Sequence, residues 1–486
     1  MAASRLDWYR GKSIHVLGPA GTEGSAVLDF LLRRGITTLT AHEMAPREAF
    51  EAEFDRTHQW LPLERRREAA QRLLAAPVTV RWAGDYLQGI EQAEVIFVPQ
   101  SWFRHPRNAP VRERRDRGVP LSSMTHLFFE ESPCPITGVT GTNGKFTVAH
   151  LIHQMLARSG LRAFFSGNDR SHVPMLYYLE EIRPDDRLVL EISNRQLVGL
   201  PYSPHIGVIT NIAAHHLDDH GSMEAYVEVK YNLIRHQGPD DIAILNADNV
   251  HTAILAARLP APYMFSGSRQ VIPGAYVEGD SVVISRGGTS RRVLQSFPLS
   301  VLRQPGRHAV ENALAASLAA SLAGASAPAM AETLAEFRGL PYRFRLVEEV
   351  AGVRYYEDSL ATNPDAAAAA IAAMDRPFVL IAGGARPNAS PEQFAPMREA
   401  LAAAPVRAVQ LIGATTPQLA AALKGLGVPV AEAGTLERAL EAAAAAARPG
   451  DAVLLSPGCE SFDQFRDYRE RGDRFAALVR QELRRA

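Results

Sequence analysis

The stretch TGVTGTNGKFTVAHLI, residues 137–152, decides the fold of the region around it. An apolar strand runs into a turn with closely spaced glycines, and an amphipathic helix begins directly after a lysine. Backbone N–H groups held at the start of a helix in such a turn can surround a phosphate. Gly141 and Gly144 would let the backbone approach the phosphates, and Lys145 would reach the terminal ones. The stretch therefore predicts a phosphate-binding loop, although Phe146 stands where a hydroxyl side chain usually follows the lysine.

Strands and helices alternate on both sides of this loop. Downstream, DRLVLEIS, PHIGVITNI and DDIAILNAD read as strands separated by helical segments, the pattern of a parallel sheet. Upstream, KSIHVLGPAGTEGSAVLDFLLRRG begins like a dinucleotide-type βα unit whose glycines, Gly18 among them, could hold a diphosphate. A purely structural turn explains those glycines about equally well. Later strands such as PFVLIAGG and DAVLLSP alternate with alanine-rich helices, so we predict an α/β fold with three domains at residues 1–128, 129–338 and 339–486.

Composition narrows the class of protein. The 486 residues carry a formal net charge of −1, which gives no attraction to nucleic acid or to an anionic membrane. Cys134 and Cys459 stand far apart in no metal-ligand spacing, as expected in a reducing compartment. No signal-like apolar region opens the chain, and no run of about 18 apolar residues occurs. We therefore expect a cytoplasmic protein without membrane insertion.

The phosphate loop and four further stretches of the sequence together resemble a known family. TGTNGK resembles the phosphate loop of the Mur ligases, and the other blocks resemble, in order, those of the MurD-type branch of that family. The blocks are LEISNRQL, GVITNIAAHHLDDHGSMEAYVEVK, LPYRFRLVEEVAGVRYYEDSLATNPDAA and LLSPGCESFDQFRDYRERGDRF. The resemblance runs from Gly11 to Phe475, and SPGCESFDQF with ERGDRF is its most diagnostic part.

The resemblance implies an ATP-dependent amide ligase of peptidoglycan precursor synthesis. Such an enzyme phosphorylates the carboxylate of UDP-N-acetylmuramoyl-L-alanine, and the amine of D-glutamate then attacks the acyl phosphate. It implies a Rossmann-like UDP-sugar-binding domain, a central P-loop ATPase domain and a C-terminal Rossmann-like domain that binds the amino acid. ATP and Mg2+ are the implied cofactors, and a monomer is the implied state.

Roles are also implied for individual positions. The implied catalytic residues are Lys145, His216 and Lys230. The implied metal ligands are Glu191, His216 and a carbamylated Lys230. The nucleotide would be held by Gly141, Thr142, Asn143, Gly144, Lys145, Thr147, Asn312, Arg343 and Asp358. The UDP-sugar and the amino acid would be held by Gly18, Asn168, Ser193, Gln196, Ser461, Phe462 and Tyr468.

Departures from the family pattern concentrate at the implied site. Phe146 lacks the hydroxyl that usually reaches magnesium, and Leu360 replaces a lysine expected to pair with the glutamate carboxylate. Glu460 adds a negative charge beside the same pocket, and Ala41 falls near where an aspartate would read the uracil. In the first domain FVPQSW replaces the usual Ser-Pro-Gly turn.

These departures keep three alternatives open. One is a weakly active or inactive homologue that binds a nucleotide or UDP-sugar in a regulatory or scaffolding role. Another is a ligase for a different amino acid. A folate-polyglutamate-type ligase shares the phosphate loop, but the SPGCESFDQF block and the separate N-terminal βα unit argue against it.

Overall fold

The computed structural model describes residues 6–58, 60–103, 105–167, 174–213, 221–286, 292–302, 306–386 and 389–481. Within these ranges the strands form three sheets. The strands are β1 Ile14–Leu17, β2 Leu39–Glu43, β3 Thr79–Trp82, β4 Val95–Phe97, β5 Leu121–Ser122, β6 Ile136–Thr140, β7 Ala163–Ser166, β8 Arg187–Glu191, β9 Ile206–Ile209, β10 Ile242–Asn246, β11 Tyr263–Ser266, β12 Gly274–Glu278, β13 Ser281–Arg286, β14 Arg292–Pro298, β15 Arg345–Val350, β16 Val353–Glu357, β17 Phe378–Gly383, β18 Val406–Ile412, β19 Val430–Gly434 and β20 Ala452–Leu455.

Helices connect most of these strands. They are α1 Leu6–Tyr9, α2 Thr22–Arg33, α3 Phe50–Thr57, α4 Leu63–Leu74, α5 Gln100–Phe103, α6 Ala109–Asp116, α7 Met124–Glu131, α8 Lys145–Arg158, α9 Asn194–Leu197, α10 Met223–Arg235, α11 Val250–Ala256, α12 Arg307–Leu322, α13 Ala327–Glu336, α14 Pro364–Ala372, α15 Ala395–Ala403, α16 Thr416–Ala422, α17 Leu436–Ala446 and α18 Tyr468–Gln481. The alternation of strands and helices confirms the predicted α/β class.

The first sheet is parallel, with strand order β3-β2-β1-β4-β5. The four residues of β1, IHVL, are all buried, and the strand lies in the middle of the sheet between β2 and β4. The chain reverses its direction of travel across the sheet between β1 and β4. Ligands of open α/β sheets bind at the carboxyl ends of the strands beside such a switch point.

The second sheet has the order β14-β13-β12-β11-β10-β9-β6-β8-β7. The strands from β6 to β11 are parallel to their neighbours, and β12, β13 and β14 form an antiparallel extension. β6 carries the phosphate loop and lies between β8 and β9. The loops that follow β6, β8 and β9 therefore meet at one edge of the sheet.

The third sheet has the order β15-β16-β20-β17-β18-β19. β15 pairs antiparallel with β16, and the remaining pairs are parallel. The segments DSLATN, GAR and SPGCES follow β16, β17 and β20 respectively. They lie at the carboxyl edge of this sheet, where an α/β domain places its ligands.

By contacts the chain divides into two compact units, Met1–Leu299 with Glu311–Thr333 and Ser300–Val310 with Leu334–Ala486. The first unit holds the first two sheets around one continuous buried core, with members from Leu6 to Leu255. The second unit holds the third sheet. Each sheet falls inside one of the three predicted domain ranges, but helix Met124–Glu131 crosses the predicted boundary between residues 128 and 129. The exact boundaries stay a prediction.

In the described part of the chain, no helix combines the length and the apolar character needed to cross a membrane.

Candidate functional site

A cavity of about 580 Å³ opens in the first unit, between the first and second sheets. From the first sheet it is bordered by loops at the carboxyl ends of β1, β2 and β4 and by the start of α7. From the second sheet it is bordered by residues at the ends of β7 and β8 and by α9. The predicted residues Gly18, Glu191 and Gln196 all line it. The cavity therefore lies at the switch point of the first sheet, where the topology favours a ligand.

The phosphate loop needs its glycines for steric reasons. Gly141 has φ +149° and Gly144 has φ +80°, conformations that other residues rarely adopt. A Cβ atom at Gly141 would overlap Oγ1 of Thr210, and one at Gly144 would overlap Oδ1 of Asn312. Asn312, predicted to contact the nucleotide, thus lies directly against the loop. Because neither position has room for a side chain, the surface that this part of the loop presents is formed by backbone atoms.

Hydrogen bonds fix the loop to the end of β9. The Thr142 amide donates to the Asn211 carbonyl (2.8 Å), and the Asn143 amide donates to Oδ1 of Asn211 (2.9 Å). Thr210 Oγ1 donates to the Asn143 carbonyl (2.6 Å). Lys145 Nζ donates to the Thr142 carbonyl (2.9 Å), so the lysine folds over the loop it follows. Its predicted contact with the terminal phosphates of a nucleotide stays a prediction.

Lys230 is buried beneath this loop, although a lysine on a helix would ordinarily be exposed. It is 1% exposed, and its Nζ donates to Thr140 Oγ1 (3.0 Å) and to the Gly141 carbonyl (2.9 Å). Burial lowers the pKa of Lys230 well below its ordinary value. The positive charge of Lys145 lowers this pKa further, and Glu191 opposes both effects. The structure therefore brings three predicted site residues, Lys145, Glu191 and Lys230, within electrostatic reach of one another.

Phe146 belongs to an aromatic group on the same side of the loop. Its ring meets Phe165 edge to face at 5.3 Å and stacks beside His150 at 6.2 Å. A Cβ atom built on Gly167 would lie 2.8 Å from Cε2 of Phe146 and 3.4 Å from Oε2 of Glu191. The ring and the predicted metal-binding carboxylate thus border the same point of the cavity wall. Thr147, the next residue, is half-buried, and its predicted nucleotide contact stays a prediction.

Ser193 and Gln196 bind each other at the start of α9. The Ser193 amide donates to Oε1 of Gln196 (2.8 Å), and the Gln196 amide donates to Oγ of Ser193 (3.3 Å). This reciprocal pair is a capping box, which satisfies amides that a helix start leaves unpaired. The pair fixes the wall of the cavity, and its contact with a substrate stays a prediction.

In the second unit, Asp358 is held by its own domain. Its Oδ1 accepts from the Phe344 amide (3.0 Å) and its Oδ2 from Ser456 Oγ (2.7 Å). Burial raises the pKa of Asp358 to about 7. Arg343 directly precedes Phe344, whose amide binds Asp358. The Arg343 amide donates to the Leu340 carbonyl (3.1 Å). The nucleotide roles of both residues stay predictions.

The predicted amino-acid-binding residues follow β20. Ser461 is 1% exposed, and in the described part of the structure its buried Oγ has no hydrogen-bond partner. Phe462, by contrast, is 68% exposed. Tyr468 meets Tyr342 edge to face at 5.7 Å. A buried hydroxyl without a protein partner beside an exposed ring suits a surface that receives a polar ligand.

Arg471 is a residue whose importance the sequence did not reveal. It is 0% exposed, and burial lowers its pKa to about 10. Its guanidinium donates to Ser359 Oγ (2.8 Å) and to the carbonyls of Ser359 (2.9 Å), Cys459 (3.1 Å) and Glu460 (3.2 Å). It therefore ties the loop after β16 to the loop after β20. A signal existed only in the ERGDRF block, where the family resemblance retains this arginine.

The structure also shows where the residues that depart from the family pattern lie. Leu360 is 38% exposed, and the backbone carbonyl of Glu460 accepts from the Ala385 amide (2.8 Å). Ala41 is fully buried in β2, and the acidic residue of that strand that lines the cavity is Glu43. Its oxygens accept from the amides of Ala20 (3.1 Å) and Ala45 (3.0 Å).

Two predicted residues, Asn168 and His216, lie outside the described residues. Within those residues, no group of three His, Cys, Asp or Glu side chains is placed to hold a metal ion. The metal role of Glu191 stays a prediction.

Comparison with known proteins identifies this arrangement. Residues 139–320 match the Mur ligase middle domain, and residues 342–459 match the Mur ligase, glutamate ligase domain. The chain belongs to the Mur ligase family. The UDP-N-acetylmuramoylalanine--D-glutamate ligase of Symbiobacterium thermophilum is 35% identical over 94% of this chain and 96% of its own length. The protein of the same name from Pelotomaculum thermopropionicum is 35% identical over 97% of this chain and 98% of its own length.

Solved Mur ligases share the fold at lower identity. The MurC ligase of Thermotoga maritima superposes with a TM-score of 0.54 at 18% identity, over 97% of this chain and all of that chain. The MurF ligase of the same organism, solved in complex with ADP, gives a TM-score of 0.54 at 16% identity, over all of this chain and 98% of that chain. The Mur ligase fold expected from the sequence is thereby confirmed.

Proposed function

We propose that this Mur ligase uses ATP to join D-glutamate to UDP-N-acetylmuramoyl-L-alanine. The observation that carries the proposal is near-full-length similarity to two D-glutamate ligases. Glu191, which lines the cavity and acts electrostatically on the buried Lys230 together with Lys145, supports it, because a phosphate donor and a carboxylate would meet there.

The chemistry requires two consecutive transfers. A carboxylate oxygen of the substrate alanine attacks the γ-phosphorus of ATP, which forms an acyl phosphate and releases ADP. The neutral amine of the incoming amino acid then attacks the acyl carbon, the C–O bond to phosphate breaks and phosphate leaves, and the nitrogen loses one proton as the amide forms. Such reactions depend mainly on positioning and charge neutralisation.

The residues of this chain meet those needs without a covalent intermediate on the protein. The phosphate loop would hold the nucleotide, and Lys145 would neutralise charge on the transferred phosphoryl group. Ser461, with its unsatisfied hydroxyl, and Phe462 would receive the amino acid. Closing the site would keep water from the acyl phosphate.

Magnesium is part of the proposal. When bound, it would neutralise the phosphate oxygens of ATP. Glu191 has the hard oxygen donors that the ion prefers, and Lys230 would add such donors if CO2 converted its neutral amine to a carbamate. His216 stays a predicted ligand, and carbamylation, the monomeric state and the cytoplasmic location stay predictions.

The test is phosphate release from ATP and Mg2+ in the presence of UDP-N-acetylmuramoyl-L-alanine and a panel of amino acids. D-Glutamate should stimulate release, and Lys145→Ala should abolish it. Lys424→Ala, which alters an exposed lysine of the second unit, is the matched control and should leave the rate unchanged. Absence of stimulation by D-glutamate would refute the proposal.

A second candidate is a homologue that binds nucleotide and UDP-sugar but turns them over poorly or not at all. Phe146 favours it, because the ring stands beside Glu191 where the family pattern has a hydroxyl. Binding of ATP without release of phosphate under any substrate would select this candidate. Release with an amino acid other than D-glutamate would instead assign a changed specificity to Leu360 and Glu460.

A further inference from the structure

Trp102 occupies the space above the glycine turn of the first sheet. A Cβ atom on Gly18 would lie 2.9 Å from Cε2 of Trp102 and 3.2 Å from its Nε1. Gly18 has φ +67°, so both its conformation and its contact with the indole require glycine. The free space that a glycine turn commonly offers to a ligand is therefore filled here by a side chain.

The indole is held in place from behind. Its ring meets Tyr86 edge to face, with centroids 6.1 Å apart. The buried Asn108 donates from Nδ2 to the Trp102 carbonyl (2.7 Å) and accepts from the Tyr86 hydroxyl. The Trp102 amide donates to the Pro99 carbonyl (3.0 Å). A half-buried ring fixed in this way loses little conformational entropy when a ligand contacts it.

The cavity has two chemically different ends. Glu191 lines the end formed by the second sheet, close to Lys145 and Lys230. Gly18, Pro99 and Trp102 line the end formed by the first sheet. A substrate that must present a carboxylate to the phosphate donor has to point that group toward Glu191.

A UDP-linked amino sugar carries its alanine carboxylate at one terminus and its uracil at the other. With the carboxylate at Glu191, the uracil extends toward the first sheet. We propose that the indole of Trp102 contacts the uracil of the nucleotide-sugar and contributes to selection of that substrate. This inference rests on the proposed function, because that function supplies the orientation of the substrate.

The test compares wild type, Trp102→Ala, Trp102→Phe and Trp8→Phe as full-length proteins. Trp8 is 43% exposed and lies outside the cavity lining, so it is the matched control. UDP binding is measured by calorimetry and by tryptophan fluorescence, and ATP binding is measured in parallel. Stacking of a base on an aromatic side chain is worth about 1–3 kcal/mol, or about 5- to 150-fold in affinity.

Trp102→Ala should weaken UDP binding by at least fivefold while the ATP affinity stays within about twofold, on the estimate for base stacking. UDP should quench the fluorescence of wild type and of Trp8→Phe, and the quenching should be absent in Trp102→Phe. Trp102→Phe should keep part of the affinity, which also covers the case in which the alanine variant fails to fold. Steady-state kinetics should show a raised KM for the UDP-sugar with little change in kcat.

The outcomes separate the two proposals. If wild type binds UDP and both Trp102 variants bind it equally well, or if the quenching persists in Trp102→Phe, the role of Trp102 is refuted while the ligase function stands. If wild type binds neither UDP nor the UDP-sugar, the proposed substrate is wrong, and the role of Trp102 falls with it.

Discussion

Replacing Phe146 by serine tests how much the missing hydroxyl of the phosphate loop matters. The ring is half-buried against Phe165 and His150 and lies beside Gly167. Removing a fully buried phenyl group costs about 3–5 kcal/mol, so a half-buried one should cost about 2 kcal/mol of unfolding free energy. Phe146→Ala removes the same ring without adding a hydroxyl. The two variants should therefore lose similar stability and differ only in what the hydroxyl contributes.

The hydroxyl should improve the handling of magnesium. A hydrogen bond or ligand contact from a neutral group to a charged one is worth about 1.5 kcal/mol at the low end. That value corresponds to about a tenfold lower Mg2+ concentration for half-maximal rate. The expected order of Mg2+ requirement is therefore Phe146→Ser below both wild type and Phe146→Ala.

The assay is phosphate release during a Mg2+ titration at saturating ATP and UDP-sugar, with the unfolding temperature of each variant measured alongside. Equal Mg2+ requirements for Phe146→Ser and Phe146→Ala would show that the side chain at this position does not reach the metal. A faster Phe146→Ala than wild type, with no further gain from serine, would mean that the ring obstructs the site sterically.

Other substitutions test the neighbouring groups. Lys145→Ala should lower phosphate release by at least a hundredfold, since it removes a cation from the transferred phosphoryl group; a loss below about tenfold would contradict that role. Lys230→Ala should lose activity that added bicarbonate cannot restore, and full activity in this variant would exclude the carbamate. Leu360→Lys should lower the KM for D-glutamate by about tenfold, as expected for one charge-assisted hydrogen bond, and an unchanged KM would refute that reading. Burial lowers the pKa of both His15 and His42 to about 4, against 6.5 in the unfolded chain, so the folded state excludes a proton that the unfolded state binds. Their contribution to stability should be complete above about pH 6.5 and fall toward pH 4, and an unfolding temperature that does not decrease from pH 7 to pH 4.5 would contradict this assignment.

Local sequence was sufficient for the elements that position the site. The phosphate loop follows β6 and precedes α8 as its glycine spacing predicts, because turn residues and apolar periodicity act over short distances. The strand, glycine turn and helix around Gly18 were likewise predicted from local sequence. The charged pattern of α10, however, gave no indication that Lys230 would be buried, and only the family resemblance singled it out.

Residues whose role depends on distant contacts escaped the sequence. The proposed role of Trp102 depends on its contact with Gly18. Gly18 lies far away in the chain and comes close to Trp102 only when β1 and β4 pair. Arg471 would ordinarily be taken for an exposed helix arginine, since the carbonyl groups that satisfy it belong to loops after other strands. Glu43 was not singled out from the sequence, although it shares a strand face with Ala41. It lines the cavity because it ends β2, whereas Ala41 lies inside the strand and is buried.

The continuous core of the first unit bears on how the chain acquires its structure during synthesis. Glu130 accepts hydrogen bonds from Tyr9 (2.8 Å) and from Tyr202 (2.8 Å), and apolar side chains from Leu6 to Leu255 pack in the same interior. A nascent chain that has emerged only as far as α7 would expose apolar surface that later residues must cover. The first sheet should therefore mature only after much of the second has left the ribosome. A fragment ending near residue 128 should aggregate, whereas one ending near residue 333, which includes the buried helix α12, should stay in solution.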